Sequence, residues 1–293
     1  MVKLAPICLF TYNRLNETKQ TIKALQRNHL ASESELFIFS DGGKNNTTKF
    51  KVNEVREFIK TVKGFKSVKI FESKENKGLA NSIIHGVSKI IQKFGQVIVL
   101  EDDLITSPNF LNFMNQGLNY YQKDEKIFSI SGYTMELPSL NNYKKDFYTG
   151  YRASSWGWAT WLNKWDNVDW EVQSYSKFRW SFLGKLNFMR GGVDMPGMLK
   201  KQMKGKIDSW AIRWCYHQFR VDGLTIYPSK SKVFSVGFGS SATHTKKTKR
   251  FDTTLDPSDK LLFEFDENVS VNKVLAREFK NKFSILNRIK DKL

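Results

Sequence analysis

Three consecutive carboxylates, Glu101-Asp102-Asp103, follow an apolar run at residues 96–100. Negative charges at the end of a buried strand repel one another and lose hydration unless a cation or hydrogen bonds compensate. A divalent ion is the simplest compensation, because hard oxygen ligands suit Mg²⁺ or Mn²⁺, and these ions in turn bind diphosphates. The alternative is that Asp102 or Asp103 merely begins the following turn. The triplet therefore predicts either a metal–diphosphate site or a polar turn.

Two other polar segments end predicted strands, namely Thr11-Tyr12-Asn13-Arg14 and Ser40-Asp41-Gly42-Gly43. In an alternating α/β chain the carboxyl ends of parallel strands share one edge of the sheet, where ligands bind. We therefore expect these segments and the triplet to lie together. No G-x-G-x-x-G or P-loop follows the first strand, so the sequence does not support a dinucleotide or Walker-type site.

The elements that must position these residues are strands alternating with helices. Short apolar runs predict buried strands, and apolar residues at helical spacing predict the helices between them. Asn16 is the predicted N-cap of the first helix, the third helix runs from Leu79 to about Phe94, and Ser107-Pro108 opens another. The pattern predicts an α/β fold with a mostly parallel central sheet flanked by helices. The predicted strands are residues 6–12, 36–40, 67–72 and 96–100.

From residue 127 the pattern changes. Residues 127–131 form a predicted strand, and a loop-rich, aromatic stretch of α+β character follows to about residue 190. Aromatic faces suit both core packing and sugar binding, and core packing is the favoured interpretation for each tryptophan. The six tryptophans of this stretch are Trp156, Trp158, Trp161, Trp165, Trp170 and Trp180.

Composition limits the class of protein. The 293 residues are 40% apolar, enough for a sizeable core, and the mean hydropathy of -0.46 argues against a membrane span. The chain has 47 lysines and arginines against 29 aspartates and glutamates, so its formal net charge is +18, which calls for a polyanionic partner.

The N-terminus lacks a signal-peptide pattern, and Cys8 and Cys215 are predicted to be buried thiols rather than a disulfide. We therefore expect a cytoplasmic protein.

Residues 97–110, V-I-V-L-E-D-D-L-I-T-S-P-N-F, resemble the acidic motif of inverting nucleotide-sugar glycosyltransferases with the GT-A fold. The N-acetylglucosaminyltransferase I type is the most similar, and bacterial family 2 glycosyltransferases share the layout. The other segments that fall in the family's order, over residues 5 to 245, are 12–14, 40–42, 131–133 and 157–158.

That resemblance implies a metal-dependent inverting hexosyltransferase. It would move a sugar, N-acetylglucosamine or a related hexose, from a UDP-sugar to a hydroxyl of a surface glycan or lipid-linked acceptor in lipopolysaccharide or capsule synthesis. Residues 1–126 would be the nucleotide-sugar-binding half of the GT-A domain and residues 127–250 its acceptor-binding and catalytic half. Residues 251–293 would form a basic tail.

The resemblance also implies roles for the strand-end residues. Asp103 would ligate Mn²⁺ or Mg²⁺ on the donor diphosphate, Asp102 would bond the ribose, and Glu101 would face the donor sugar. Asp41 would accept a hydrogen bond from uracil, and Arg14 would lie near the nucleotide. The simpler alternatives are turn chemistry for Asp41 and a solvated surface charge for Arg14.

Three further residues are candidates by the same resemblance. Lys77 lies in an Asn-Lys-Gly loop near the nucleotide, although the loop's simpler role is a helix entry that needs glycine. Asp208 is the predicted general base, with the alternative of a helix N-cap; alignment on Trp210 puts Ser209 at the family's base position and Asp208 one residue earlier. His244 follows a glycine-rich loop and would ligate the metal or touch the diphosphate.

The C-terminal residues predict a basic amphipathic helix. One helical stripe has lysines and arginines around it and consists of Leu275, Phe279, Phe283, Leu286 and Ile289. This helix would either lie on an anionic membrane, at the inner face of the plasma membrane where a lipid-linked acceptor is found, or pack on the body of the protein.

Two other functions fit parts of the sequence. A sugar-1-phosphate nucleotidyltransferase would need glycines after the first strand, which are missing. A nucleic-acid-binding module fits the charge but not the acidic triplet, so no nucleic-acid partner is expected.

Overall fold

The computed structural model describes residues 4–237, 249–267, 269–284 and 286–287. The strands are β1 Ile7–Thr11, β2 Glu35–Ser40, β3 Ser67–Glu72, β4 Gln96–Glu101, β5 Leu104–Thr106, β6 Ile127–Ser131, β7 Phe147–Gly150, β8 Trp158–Trp161, β9 Leu224–Pro228 and β10 Val233–Ser235. The α-helices are α1 Leu15–Gln26, α2 Asn46–Lys60, α3 Leu79–Phe94, α4 Phe110–Tyr120, α5 Leu162–Trp165, α6 Tyr175–Phe178, α7 Phe182–Phe188, α8 Met195–Met203, α9 Trp210–Arg220 and α10 Lys273–Lys282.

The described residues form an eight-stranded sheet in the order β3-β2-β1-β4-β8-β6-β9-β7, and β10 pairs with β5 in a separate ribbon. β3, β2, β1 and β4 are parallel, with Leu9 of β1 in register with Ile38 and Leu100. β8 is antiparallel to both β4 and β6, and β9 is parallel to β6. This is the predicted α/β architecture, consistent with the GT-A fold, and it brings the carboxyl ends of β1, β2 and β4 to one edge.

Alternation along β1 explains why the sheet is covered on both faces. Ile7 and Leu9 belong to one apolar cluster, and the intervening Cys8 and Phe10 belong to another. The first cluster includes side chains of α1, α2, α4 and α10, whereas α3, α8 and α9 contribute to the second. Because successive side chains of a strand point to opposite faces, a continuous apolar run here requires helices on both sides.

Two local predictions are wrong. Asn16 does not cap α1, because the helix begins at Leu15 with Arg14 at the cap position and no capping side chain. Strand β5 was not predicted, because its three residues are too short for a periodic signal, and it delays α4 until Phe110. Cys8 and Cys215 are free and buried, as predicted.

Most of the tryptophan-rich stretch packs in the core, as predicted. Trp158, Trp161 and Trp165 are buried, whereas Trp156 lines cavities and Trp180 is 78% exposed. Residues 252–267 and 269–271 contain no helix and run over α4 and β7 to α10.

The amphipathic stripe that includes α10 packs largely against the body of the protein. Leu275, Phe279 and Phe283 are buried on the body, so this part of the stripe is not available to a membrane. Nowhere in the described residues does a helix have the length and apolar character of a membrane span.

Candidate active site

A cleft of about 280 Å³ opens at the carboxyl ends of β1, β2 and β4. Arg14, Asp41 and the whole acidic triplet line it, so the structure brings together five of the eight predicted site residues. They meet because each follows directly on a buried strand of the same parallel sheet. Other lining residues, Phe10 and Phe39, stack with ring centroids 5.0 Å apart and give the cleft an apolar floor.

Arg14 is bound to two of the acids rather than solvated. Its Nη1 donates to Oδ2 of Asp103 at 3.0 Å, and its Nη2 donates to Oδ1 of Asp102. The backbone N–H of Tyr12 donates to the other oxygen of Asp102 at 3.2 Å. These bonds tie the β1 loop to the acidic turn, so the alternative of a surface charge for Arg14 is wrong.

The acidic turn is also fastened from α1. The hydroxyl of Thr21 donates to the Asp102 carbonyl at 2.9 Å and accepts from the Leu104 N–H at 3.1 Å. Gly237 closes over the same turn, because a Cβ at this position would lie 2.0 Å from Oδ2 of Asp103. The acids therefore form a turn, as the alternative interpretation of the triplet states. This turn faces the cleft, as a role in a binding site requires.

Crowded negative charge perturbs the triplet. Burial, together with the charges of Asp103 and Asp102, raises the pKa of Glu101 to about 8. Burial also raises the pKa of Asp102 to about 6, although the ion pair with Arg14 acts in the opposite direction. Burial alone would lower the pKa of Arg14, but the two carboxylates raise it, which keeps the guanidinium charged. A carboxyl held neutral near pH 7 is a feature of functional sites.

Asp41 holds the next loop in place. Its Oδ1 accepts from the N–H groups of Gly42 and Lys77, each at 2.9 Å, and its Oδ2 accepts from the Gly78 N–H and the Asn76 side chain, each at 3.0 Å. A carboxylate has about four lone-pair sites, and all are used. The observed hydrogen bonds of Asp41 are therefore those of a residue that stabilises a turn and the neighbouring loop. A contact with uracil remains a prediction, and it requires one of these bonds to break.

Lys77 contributes its backbone, not its side chain. The side chain is exposed and does not line the cleft, whereas Lys44, which sequence reasoning missed, does. Gly78 has φ +76°, which confirms the interpretation of this loop as a helix entry that needs glycine. Lys44 stands three residues after Asp41, and that proximity to a strand end is the signal that could have identified it.

Asp208 lies at the rim of the cleft. Its Oδ2 is 3.9 Å from the position of a Cβ on Gly78, and its Oδ1 accepts from Arg213 at 3.4 Å. The N-cap of α9 is Ser209, whose hydroxyl accepts from the Ile212 N–H at 3.3 Å. The alternative role of Asp208 as N-cap is therefore wrong. Its carboxylate is 61% exposed and available to a ligand.

A divalent ion fits this cleft only as part of a ligand complex. No group of three His, Cys, Asp or Glu residues that could cage a metal occurs in the part of the chain that the structure describes. Ions such as Mg²⁺ are commonly held by one or two carboxylates plus substrate phosphates. Asp103, at the cleft surface, fits that arrangement. His244 lies outside the described residues.

A second cavity of about 460 Å³ adjoins the first, and the sequence did not predict it. Trp156 lines both cavities, and Ser209, next to Asp208, lines the second. Its wall includes the partly buried ion pair of Arg152 and Asp194, joined by bonds of 2.8 and 3.1 Å. Phe251, Phe279 and Phe283 complete the wall from the C-terminal part of the chain.

Comparison with known proteins gives a family match. The family model described as Glycosyl transferase family 2 matches residues 7–164. No curated protein matches the chain.

Three solved structures are similar at low identity. Residues 1-349 of S. aureus TarS share 9% identity with a TM-score of 0.47, covering 80% of this chain and 61% of that one. A longer TarS structure has 13% identity and a TM-score of 0.32, covering 44% of this chain and 21% of that one. The mannosyltransferase PcManGT from Pyrobaculum calidifontis, in complex with GDP-Man and Mn²⁺, has 8% identity and a TM-score of 0.40, covering 75% and 69%. This chain thus spans less than two thirds of either TarS structure.

Proposed function

Because this chain belongs to glycosyl transferase family 2 and is a glycosyltransferase, we propose that it is a metal-dependent inverting enzyme that uses a UDP-sugar. The transferred sugar would be a hexose such as N-acetylglucosamine. The acceptor would be a hydroxyl of a surface glycan or lipid-linked oligosaccharide, in lipopolysaccharide or capsule synthesis at the cytoplasmic face of the membrane. The observation that carries the proposal is the cleft in which Arg14, Asp41 and the acidic triplet converge.

The donor would lie across the three strand ends. Phe10 and Phe39 offer an apolar floor for the base, and Asp41 with its bonded loop offers polar atoms at the base edge. The hydroxyl of Tyr12 is buried against the cleft and has no hydrogen-bond partner among the described residues. A buried polar atom of this kind needs a ligand or water to satisfy it. Arg14 would reach the diphosphate by exchanging a carboxylate for a phosphate oxygen.

Asp103 would hold Mn²⁺ or Mg²⁺ together with the donor diphosphate. When bound, the ion neutralises charge that develops on the departing diphosphate. Asp102 would be directed at the ribose. Glu101, with its raised pKa, would be protonated near neutral pH and able to donate a hydrogen bond to a hydroxyl of the donor sugar.

Asp208 would act as the general base. Inverting transfer needs a carboxylate that takes the acceptor proton as the hydroxyl oxygen attacks the anomeric carbon. Asp208 stands beside Gly78 of the first cavity, and its neighbour Ser209 lines the second. A carboxylate between the two cavities is within reach of an acceptor that enters from the second and a donor bound in the first.

The second cavity would receive the acceptor. Its aromatic wall suits the apolar faces of sugar rings, and hydroxyl groups such as Ser154 and Ser155 suit their polar edges. Trp156 packs edge-on against Tyr133, with centroids 4.5 Å apart, which fixes the ring at the boundary between the cavities.

Thermal stability in the presence of ligands tests the proposal, because a ligand that binds only the folded state raises the melting temperature. The wild type and Asp103→Ala would be compared with UDP-, GDP-, CMP- and dTDP-sugars, each with and without Mn²⁺. Asp259→Ala is the matched control, since Asp259 is exposed and does not line the cleft. We expect a Mn²⁺-dependent shift with one UDP-sugar that is lost in Asp103→Ala and kept in the control. A shift with another nucleotide only, or with RNA instead, would refute the donor assignment.

A further inference from the structure

An apolar surface formed by α7 and by Trp180, two residues before the helix, faces solvent. Trp180, Phe182 and Leu183 are 78%, 72% and 71% exposed, and Leu186 is 46% exposed. Phe182, Leu183 and Leu186 share one face of the helix, because residues three and four apart are neighbours. Exposed large apolar residues are normally scattered singly. We call these four residues the α7 patch.

The opposite side of this segment is firmly packed, so the exposure is not the result of a loose chain. Phe178 and Phe188 are buried and meet edge-on with centroids 5.7 Å apart, and both contact the ring of Tyr216. Ser181 caps α7, with its hydroxyl accepting from the Gly184 N–H at 3.0 Å. The fold therefore holds the α7 patch outward.

Positive charge surrounds the patch. Lys177, Arg179 and Lys185 flank it, and no Asp or Glu occurs between residues 172 and 193. None of these three cations pairs with a carboxylate of the described residues, and the guanidinium of Arg179 lies 5.0 Å from the ring centroid of Trp180. Tryptophan, phenylalanine and leucine combined with lysine and arginine are typical of segments that lie in the headgroup region of an anionic bilayer.

We propose that the α7 patch docks this protein on an anionic lipid bilayer, with the apolar side chains in the interface and the three cations against the lipid headgroups. Of the C-terminal stripe, Leu275, Phe279 and Phe283 do not serve this purpose, since they are buried, which leaves only Leu286 exposed among its described residues. The docking surface itself does not depend on the proposed donor or acceptor.

If the second cavity receives the acceptor, the position of the patch gives it a further role. The chain leaves α7 directly into Met189–Gly191, and a Cβ on Gly191 would lie 3.2 Å from Cβ of Arg152 in the cavity wall. A bilayer-bound α7 would therefore keep the acceptor cavity close to the lipid surface, where a lipid-linked acceptor is anchored.

Vesicle sedimentation with the full chain tests the docking. The wild type would be mixed with phosphatidylcholine vesicles with and without about one third phosphatidylglycerol. We expect binding to the anionic vesicles only, and at least ~10-fold weaker binding for Trp180→Ala/Leu183→Ala, because two apolar side chains no longer leave water. The matched control is Phe50→Ala/Leu262→Ala, which removes an aromatic ring and a leucine that are 67% and 77% exposed elsewhere and keeps the charge.

The charge is tested separately. Lys177→Gln/Arg179→Gln/Lys185→Gln should lose the preference for phosphatidylglycerol, and salt should weaken the wild type in the same way. No vesicle binding by the wild type, or equal losses in the patch and control variants, would overturn the proposal. So would a wild-type dimer that ignores vesicles and becomes a monomer in Trp180→Ala/Leu183→Ala, because the patch would then bind a second copy. The donor-dependent melting shift, measured on the same variants, reports independently on the proposed function.

Discussion

Replacing Asp208 with asparagine separates catalysis from folding. Asparagine keeps the shape of the side chain but cannot take a proton. Asp208 is 61% exposed, and its bond to Arg213 is a surface ion pair of 3.4 Å. Such pairs contribute about 0.5 kcal/mol, and the α9 cap is provided by Ser209, so the free energy of unfolding should hardly change. Donor-induced stabilisation should also be unchanged.

The rate of sugar transfer should fall steeply. A positioned general base contributes about 10²- to 10⁴-fold, which corresponds to roughly 3–5 kcal/mol in the barrier. The assay is the release of UDP at saturating donor in the presence of a lipid-linked glycan acceptor.

Asp222→Asn is the matched control, because Asp222 is 85% exposed, pairs with Arg190 at 3.1 Å on the surface and lines neither cavity. Its transfer rate should stay close to that of the wild type, whereas Ser209→Ala, which removes the cap of α9, should lower the free energy of unfolding by about 1 kcal/mol. A rate for Asp208→Asn within about threefold of the wild type would refute the assignment of the base. A large rate loss in Ser209→Ala alone would move the function to the hydroxyl or its loop.

Three more perturbations probe the cleft and its supports. Glu101→Gln should stabilise the fold at high pH: the pKa of Glu101 is raised from 4.5 to about 8, so the gain should grow between these values, approach ~5 kcal/mol above pH 8 and vanish below pH 4.5, measured by urea unfolding. Gly237→Ala puts a Cβ 2.0 Å from Oδ2 of Asp103, so this carboxylate must leave its bond to Arg14, and donor-induced stabilisation should weaken while the donor-free melting temperature falls slightly. Lys232→Met leaves the buried Asp256 carboxylate unpaired and should cost ~3–5 kcal/mol in urea unfolding, most of which Lys232→Met/Asp256→Leu should recover.

The sequence predicts the sheet well where one local signal is strong. β3 and β6 begin and end where periodicity places them, and α3 runs from Leu79 to Phe94 as predicted. β6 and α3 carry apolar patterns that only one kind of packing can bury, whereas β3 alternates apolar and polar residues as a half-buried edge strand does. The predicted start of α1 is wrong for the opposite reason, because no strong local signal defines it. The side chain at the cap position, Arg14, is used in a tertiary contact with Asp102, and no local rule for helix caps includes such a partner.

The site is predictable to the extent that strand ends define it. Because parallel strands share an edge, the position of the acidic triplet beside Arg14 and Asp41 follows from topology alone. The contacts inside the cleft do not. That Asp41 uses both oxygens on the following loop, and that Lys44 rather than Lys77 lines the cleft, depends on the path of loops whose sequences allow several conformations.

The second cavity could not have been predicted, because residues distant in the chain form its wall. Arg152 stacks on Phe283, with its guanidinium carbon 4.1 Å from the ring centroid, although 131 positions separate them. From the sequence, the residues after 250 are predicted to form a tail because they contain an amphipathic stripe. Such a stripe does not identify the surface that will cover it. The buried pair of Lys232 and Asp256 holds the start of this segment on the body. Since Phe279 and Phe283 then complete the cavity, a C-terminal segment that resembles a separate appendage forms part of the site proposed for the acceptor.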